Sequence, residues 1–144
     1  MKKKLFSLLL LCAFLLGAIG HILLRPAPIP EQTYTLVFRS QALTANLRPS
    51  LPKEGAILFV NGRAATLTQK TVTPFLLYGH ENGQEAIRKS LLSDTVFFTV
   101  SVKAHQKDGR LYLGERMLLV GDEVTLSGEN FRISAVLWDF QTVF

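Results

Sequence analysis

"GHENGQE", residues 79 to 85, gathers the side chains of this chain best suited to chemistry. His80 can exchange a proton near neutral pH, and Glu81 and Glu85 can serve beside it as acid, base or hard-metal ligand. The three form a polar-site candidate for a small hydrolase or a metal-dependent enzyme. Gly79, Asn82 and Gly83, however, give the segment the composition of a solvated turn, and nothing in the sequence makes the three side chains converge. A second candidate lies at the other end of the chain. Trp138 and Phe140 fall on one face of a closing strand, with Leu137 and Asp139 on the other. Those aromatics are candidates for contacting a protein partner by adding a strand to it.

Other catalytic patterns are missing. There is no GxSxG elbow, and Gly79 and Gly83 are not followed by the Lys-Ser/Thr of a phosphate loop. Asp94, Asp122, Glu123 and Asp139 lack the spacing of a calcium loop. The single cysteine, Cys12, lies in an apolar leader, so the rest of the chain has neither an internal disulfide nor a thiolate metal site. The reading is non-enzymatic, with no catalytic, cofactor-binding or metal residues assigned and no cofactor expected.

Any site must be positioned by strands. "TYTLVFRS" places Tyr34, Leu36 and Phe38 on one face, the period of a half-buried strand. "AILFVNGRAATL" is a hairpin signal, because Asn61-Gly62 tolerates the positive φ of a type I′ turn. "TVFFTVSVKA" alternates Val96, Phe98, Val100 and Val102, and Asp108-Gly109 and Gly114-Glu115 then punctuate two further turns. Two short helices are expected, one after Ser40 with Leu43 and Leu47 four apart, the other over residues 84 to 92 with Ile87 and Leu91 four apart. Leu58, Val60, Phe98, Val100, Leu118, Val120, Leu126, Phe131, Ile133 and Val136 are the expected core. Gly55 and Gly62 stand seven apart, as do Gly121 and Gly128, which suggests a duplicated strand-and-hairpin unit about a pseudo-twofold. The expected fold is mainly β: a small barrel or sandwich over residues 32 to 144, behind a transmembrane helix.

The leader, residues 5 to 24, is an apolar run without Lys, Arg, Asp or Glu. About 20 such residues span a bilayer, and Lys2, Lys3 and Lys4 would stay on the cytoplasmic side. Residues 1 to 25 are therefore expected to be a membrane anchor. Pro26, Pro28 and Pro30 make residues 26 to 31 a stiff stalk, reaching roughly 15 to 20 Å at the polyproline rise. Ala18 and Gly20 offer the alternative of a cleaved signal, with secretion after Gly20.

Lys2 to Lys4 and Arg25 account for four of the 16 basic residues, which leaves 12 against 11 acidic ones. The formal charge of +5 is thus concentrated at the leader. A nucleic-acid binder would show a basic face, and none is patterned here, so no nucleic-acid partner is expected.

From Ser93 onward, "SDTVFFTVSVKA…DGRLYLGERMLLVGDEVTLSGENFRISAVLWD" resembles the bacterial family catalogued as domain of unknown function 4330. The matching positions are Asp94, Val120-Gly121-Asp122, Val124, Leu126, Phe131 and Val136. The resemblance covers most of residues 32 to 140 and implies an N-terminal membrane segment ahead of a β-rich domain. The polar stretch that often precedes the family's hydrophobic run is absent before "MKKKLF". The family has no assigned activity. The expectation is a single-pass membrane protein of the bacterial cell envelope, N-terminus cytoplasmic, whose extracytoplasmic β-domain is an interaction or scaffold module with a protein partner. The alternatives are an exported enzyme centred on His80 and a binder of small apolar ligands.

Overall fold

The computed structural model describes residues 14–17 and 29–142. Eight strands follow one another: β1 (Gln32–Thr44), β2 (Ile57–Val60), β3 (Arg63–Glu81), β4 (Gln84–Lys107), β5 (Arg110–Leu113), β6 (Arg116–Leu118), β7 (Glu123–Ser127) and β8 (Arg132–Thr142). One 3-10 helix, Ala45–Ser50, interrupts them. The strands form one sheet in the order β1-β8-β7-β2-β3-β4-β5-β6, and β1 also pairs with β4.

This corrects the expected barrel or sandwich. The eight strands form a single sheet rather than two; the β1–β4 pairing joins β1-β8-β7-β2-β3-β4 end to end, but β5 and β6 run off beyond β4 and leave the order open at β6. The mainly β character stands. No helix among the described residues is long and apolar enough to cross a membrane. The expected transmembrane helix and, with it, the single-pass topology with a cytoplasmic N-terminus, an extracytoplasmic domain and a membrane partner are therefore not supported by these residues. Of residues 5 to 24 only 14–17 are described, as a turn of helix. The rest of the leader, its Gly20 cleavage option, and Pro26 and Pro28 of the stalk lie outside the described residues.

Neither short helix forms as expected: the first is reduced to the 3-10 helix at Ala45–Ser50, and the second is strand. β1 continues to Thr44 through a bulge between Ser40 and Leu43, where Ala42 takes φ 53°. Ser40 is buried, and its hydroxyl donates to the Ser134 carbonyl at 2.7 Å instead of capping a helix. Residues 84 to 92 are strand, because Asn82 (φ 53°) and Gly83 (φ 79°) turn β3 straight back into β4. Ile87 is paired with Tyr78 on the ribbon, whereas Leu91 falls within the register shift between Lys89 and Asp94.

The core comes from the period-two positions. Tyr34, Leu36 and Phe38 of β1, Leu58 and Val60 of β2, Leu67 of β3, Val96, Phe98 and Val100 of β4, Leu126 of β7 and Leu137 of β8 are buried. Leu111 of β5 and Leu118 of β6, a cross-strand pair, are buried as well. Three of the expected core residues differ. Val120 is 58% exposed, because Leu119 and Asp122 close a turn in which Leu119 N–H donates to Asp122 Oδ2 at 2.9 Å. Phe131 and Val136 are half-buried.

Leaving β5 and β6 aside, the pairings are unchanged when β1, β2 and β3 are exchanged with β4, β7 and β8. The β1–β8 pair becomes β4–β3, β2–β3 becomes β7–β8, and the antiparallel β1–β4 and β2–β7 pairs map onto themselves. The entry to each hairpin follows the same rule. Gly55 N–H donates to Leu67 O (2.7 Å) and Leu67 N–H to Ala56 O (2.9 Å); Gly121 N–H donates to Leu137 O (2.8 Å) and Leu137 N–H to Asp122 O (2.9 Å). Both glycines have positive φ, 84° and 98°, where a side chain is strained.

Candidate interaction surface

Beyond Thr73 and Thr95 the strands β3 and β4 leave the body of the domain together as a two-stranded arm. Their register runs from Leu76↔Lys89 through Tyr78↔Ile87 and His80↔Glu85 to the Asn82-Gly83 turn. No third strand accompanies them among the described residues: β2 pairs with β3 only at Arg63–Thr66, and β1 pairs along β4 only as far as Ser93. Directly paired residues share a face. One face of the arm carries Leu76, Tyr78, His80, Glu85, Ile87 and Lys89. The other carries Leu77, Gly79, Glu81, Ala86 and Arg88.

That alternation divides the polar-site candidate. His80 and Glu85 are cross-strand neighbours, whereas Glu81 points to the opposite face and accepts from Arg88 Nη2 at 2.5 Å across Gly79. All three are exposed. Among the described residues no group of three His, Cys, Asp or Glu side chains is placed to hold a metal ion.

The apolar side chains of the arm are its distinctive feature. Leu91 is 91% exposed, Leu92 77% and Tyr78 75%, with Leu76, Leu77 and Ile87 also in solvent. A groove of about 650 Å³ runs along the arm's base, lined by Gln41, Pro74, Phe75, Tyr78, Lys89 and Thr95 among others. It opens to the surface. The interior itself is filled by Leu36, Phe38, Leu58, Leu67, Phe98 and Leu126, none of them accessible, so the apolar-ligand alternative finds no support in the core.

The base of the arm is clamped. Asp94 is 1% exposed, and Arg48 of the 3-10 helix donates to both its oxygens, from Nε and Nη2, at 2.5 Å each. The Arg48 hydrogen bond holds the Asp94 carboxyl below its ordinary range, aided by the guanidinium charge and opposed by burial. Asp94 in turn raises Arg48, again chiefly through the hydrogen bond. Four residues before Asp94, Ser90 Oγ accepts from Leu92 N–H (3.2 Å) and Ser93 N–H (3.0 Å). The open edge of β4 is therefore bounded by the tip turn on one side and Ser90's hydroxyl contacts on the other.

Trp138 and Phe140 do not share a face. In the β1–β8 pairing, Val37 opposes Asp139 and Phe38 opposes Leu137, which leaves Trp138 as the extra residue of a β-bulge. The bulge reverses the alternation, so Phe140 packs against the core while Trp138 remains 48% exposed. The Trp138 ring is already engaged: Phe97 meets it edge-on at 6.4 Å, and the Arg39 guanidinium lies 3.8 Å from its centroid. The sequence reading missed Arg39, Phe97 and Arg48. It also missed the signal for the arm, which is an Asn-Gly turn flanked by "FLLY" and "SLL".

No family model, curated protein or solved structure matches the chain. The resemblance to domain of unknown function 4330 gains no support from them.

Proposed function

We propose that this is a non-catalytic binding domain whose working part is the β3–β4 arm, docking by strand addition at the open edge of β4. The observation that carries this reading is the exposure of Leu76, Leu77, Tyr78, Ile87, Leu91 and Leu92 on a hairpin that no third strand joins among the described residues. An isolated two-stranded ribbon is marginal in water, and an open apolar edge invites pairing with another chain. Edges meant to stay free are usually short, bulged or broken by proline. β3 has such a device in Pro74, whereas the β4 edge over residues 84–89 contains no proline and ends where the register shift of residues 90–93 begins. The reading also rests on the separation of Glu81 from His80 and Glu85, which leaves that cross-strand pair without a third group on its face.

A photoreactive residue at position 87, irradiated in cells that make the protein, tests it. A discrete crosslinked species is expected, lost when Ala86→Pro blocks the edge. Absence of any adduct, or adducts indifferent to the proline, would remove the arm from the function.

A further inference from the structure

We infer that the strand added to β4 is β4 of a second copy of this chain, antiparallel about a twofold axis through Ile87. This rests on the reading of the arm as a strand-adding edge and names its partner. A twofold axis normal to the sheet lets the edge pair only in registers that keep odd residues opposite odd and even opposite even. Few such registers fit between the Asn82-Gly83 turn and the Ser90 contacts. Centring on Arg88 or Lys89 sets a cation against its own copy, and directly opposed like charges destabilise a strand pair. Centring on Ala86 sets Glu85 opposite the apolar Ile87.

Centring on Ile87 sets Glu85 opposite the second copy's Lys89, and by symmetry Lys89 opposite its Glu85. Ile87 then meets Ile87 on the axis. The existing Tyr78↔Ile87 pairing extends this into a row across four strands, Tyr78, Ile87, Ile87 and Tyr78, on one face. On the other face Arg88 falls opposite Ala86, beside Gly79, where small residues leave room for its stem. The charge pattern is self-complementary in this register alone among those four.

Sedimentation velocity on the full-length chain across a dilution series tests the pairing, with Glu85→Lys, Lys89→Glu and the double exchange. The positions are exposed, and unchanged urea midpoints would show that the variants fold. Wild type should dimerise reversibly. Each single variant turns two attractive oppositions into two repulsive ones and should raise the dimer Kd by about tenfold or more. The double exchange should return it to near the wild-type value, a recovery that association through any other part of the chain does not predict. A monomeric wild type, or a double exchange no better than the single ones, overturns the inference. If crosslinks at position 87 then run at masses other than that of two chains, the docking edge survives without self-pairing. If there are none, the reading of the arm fails as well.

Discussion

Asn61 and Thr125 exchange two hydrogen bonds of equal length: Asn61 N–H donates to the Thr125 carbonyl at 2.9 Å, and Thr125 N–H donates to Asn61 Oδ1 at 2.9 Å. The side-chain amide stands in for a backbone carbonyl, so the β2–β7 ladder continues one step past Val60, where the chain has already entered its turn. Asn61 meets two demands at once, because its φ of 48° is one that few other residues accept.

Substitutions at Asn61 separate those demands. Asn61→Gly keeps the positive φ but leaves Thr125 N–H without its acceptor; Asn61→Ala loses both. We expect Asn61→Ala to cost about 1–3 kcal/mol, the range for stranding a partly buried donor, and Asn61→Gly to cost less. Urea midpoints of the three proteins decide it. Equal losses would mean that the backbone angle is immaterial.

The Asp94–Arg48 clamp makes stability depend on acid. The folded carboxyl titrates below its unfolded value of about 3.9, so the unfolded chain binds the proton first as pH falls. The contribution is fully present above that unfolded value and is lost as pH falls through the lower, folded one. The expected outcome is a steeper fall in melting temperature below about pH 4 for wild type than for Asp94→Asn. Arg48→Met should lower the melting temperature at neutral pH as well, since it leaves a buried carboxylate without its donor. Parallel acid limbs for wild type and Asp94→Asn would show that the clamp does not titrate.

How much of this was legible depends on which interactions are local. Asn61-Gly62 and Asp108-Gly109 announce their turns, because the need for positive φ is a property of two adjacent residues. Asn82-Gly83 carries the same message, yet the helical spacing of Ile87 and Leu91 competes with it, and only the pairing with β3 resolves the conflict in favour of strand. The alternation that placed Leu36, Phe98 and Leu126 inside was readable, since it repeats every second residue. The bulge at Trp138 was not. It exists because β1 opposes β8 in a shifted register, and that depends on a strand about a hundred residues away. The Arg48–Asp94 pair was hidden for the same reason: its members are 46 residues apart.

Gly128 is constrained by space. Its N–H donates to the Phe131 carbonyl at 2.9 Å, and a Cβ placed on it would lie 2.9 Å from Phe131 Cδ1 and 3.2 Å from Cζ. The ring packs against the core and has little freedom to withdraw. Gly128→Ala should therefore cost about 1–3 kcal/mol through overpacking, and much less in a Phe131→Ala background, where the ring is gone. A double-mutant cycle on urea midpoints reads the coupling. An unchanged cost in that background would place the constraint in the backbone instead.

The arm should open without the rest of the domain. From Leu76 to Leu91 none of its side chains is buried, so breaking the β3–β4 hydrogen bonds there exposes little new apolar surface. Further along the same strands Leu67, Phe98 and Val100 are inaccessible, and their amides are released only when the core comes apart. In dilute protein, hydrogen–deuterium exchange should be faster at Tyr78 and Ile87 than at Phe98 and Val100 by about a hundredfold or more, the gap between local and global opening. The contrast lies within single strands, so it isolates the effect of side-chain burial from that of strand identity. Uniform protection along β4 in dilute protein would mean that the exposed apolar row stabilises the ribbon by itself, and the arm would then need no partner to stay ordered.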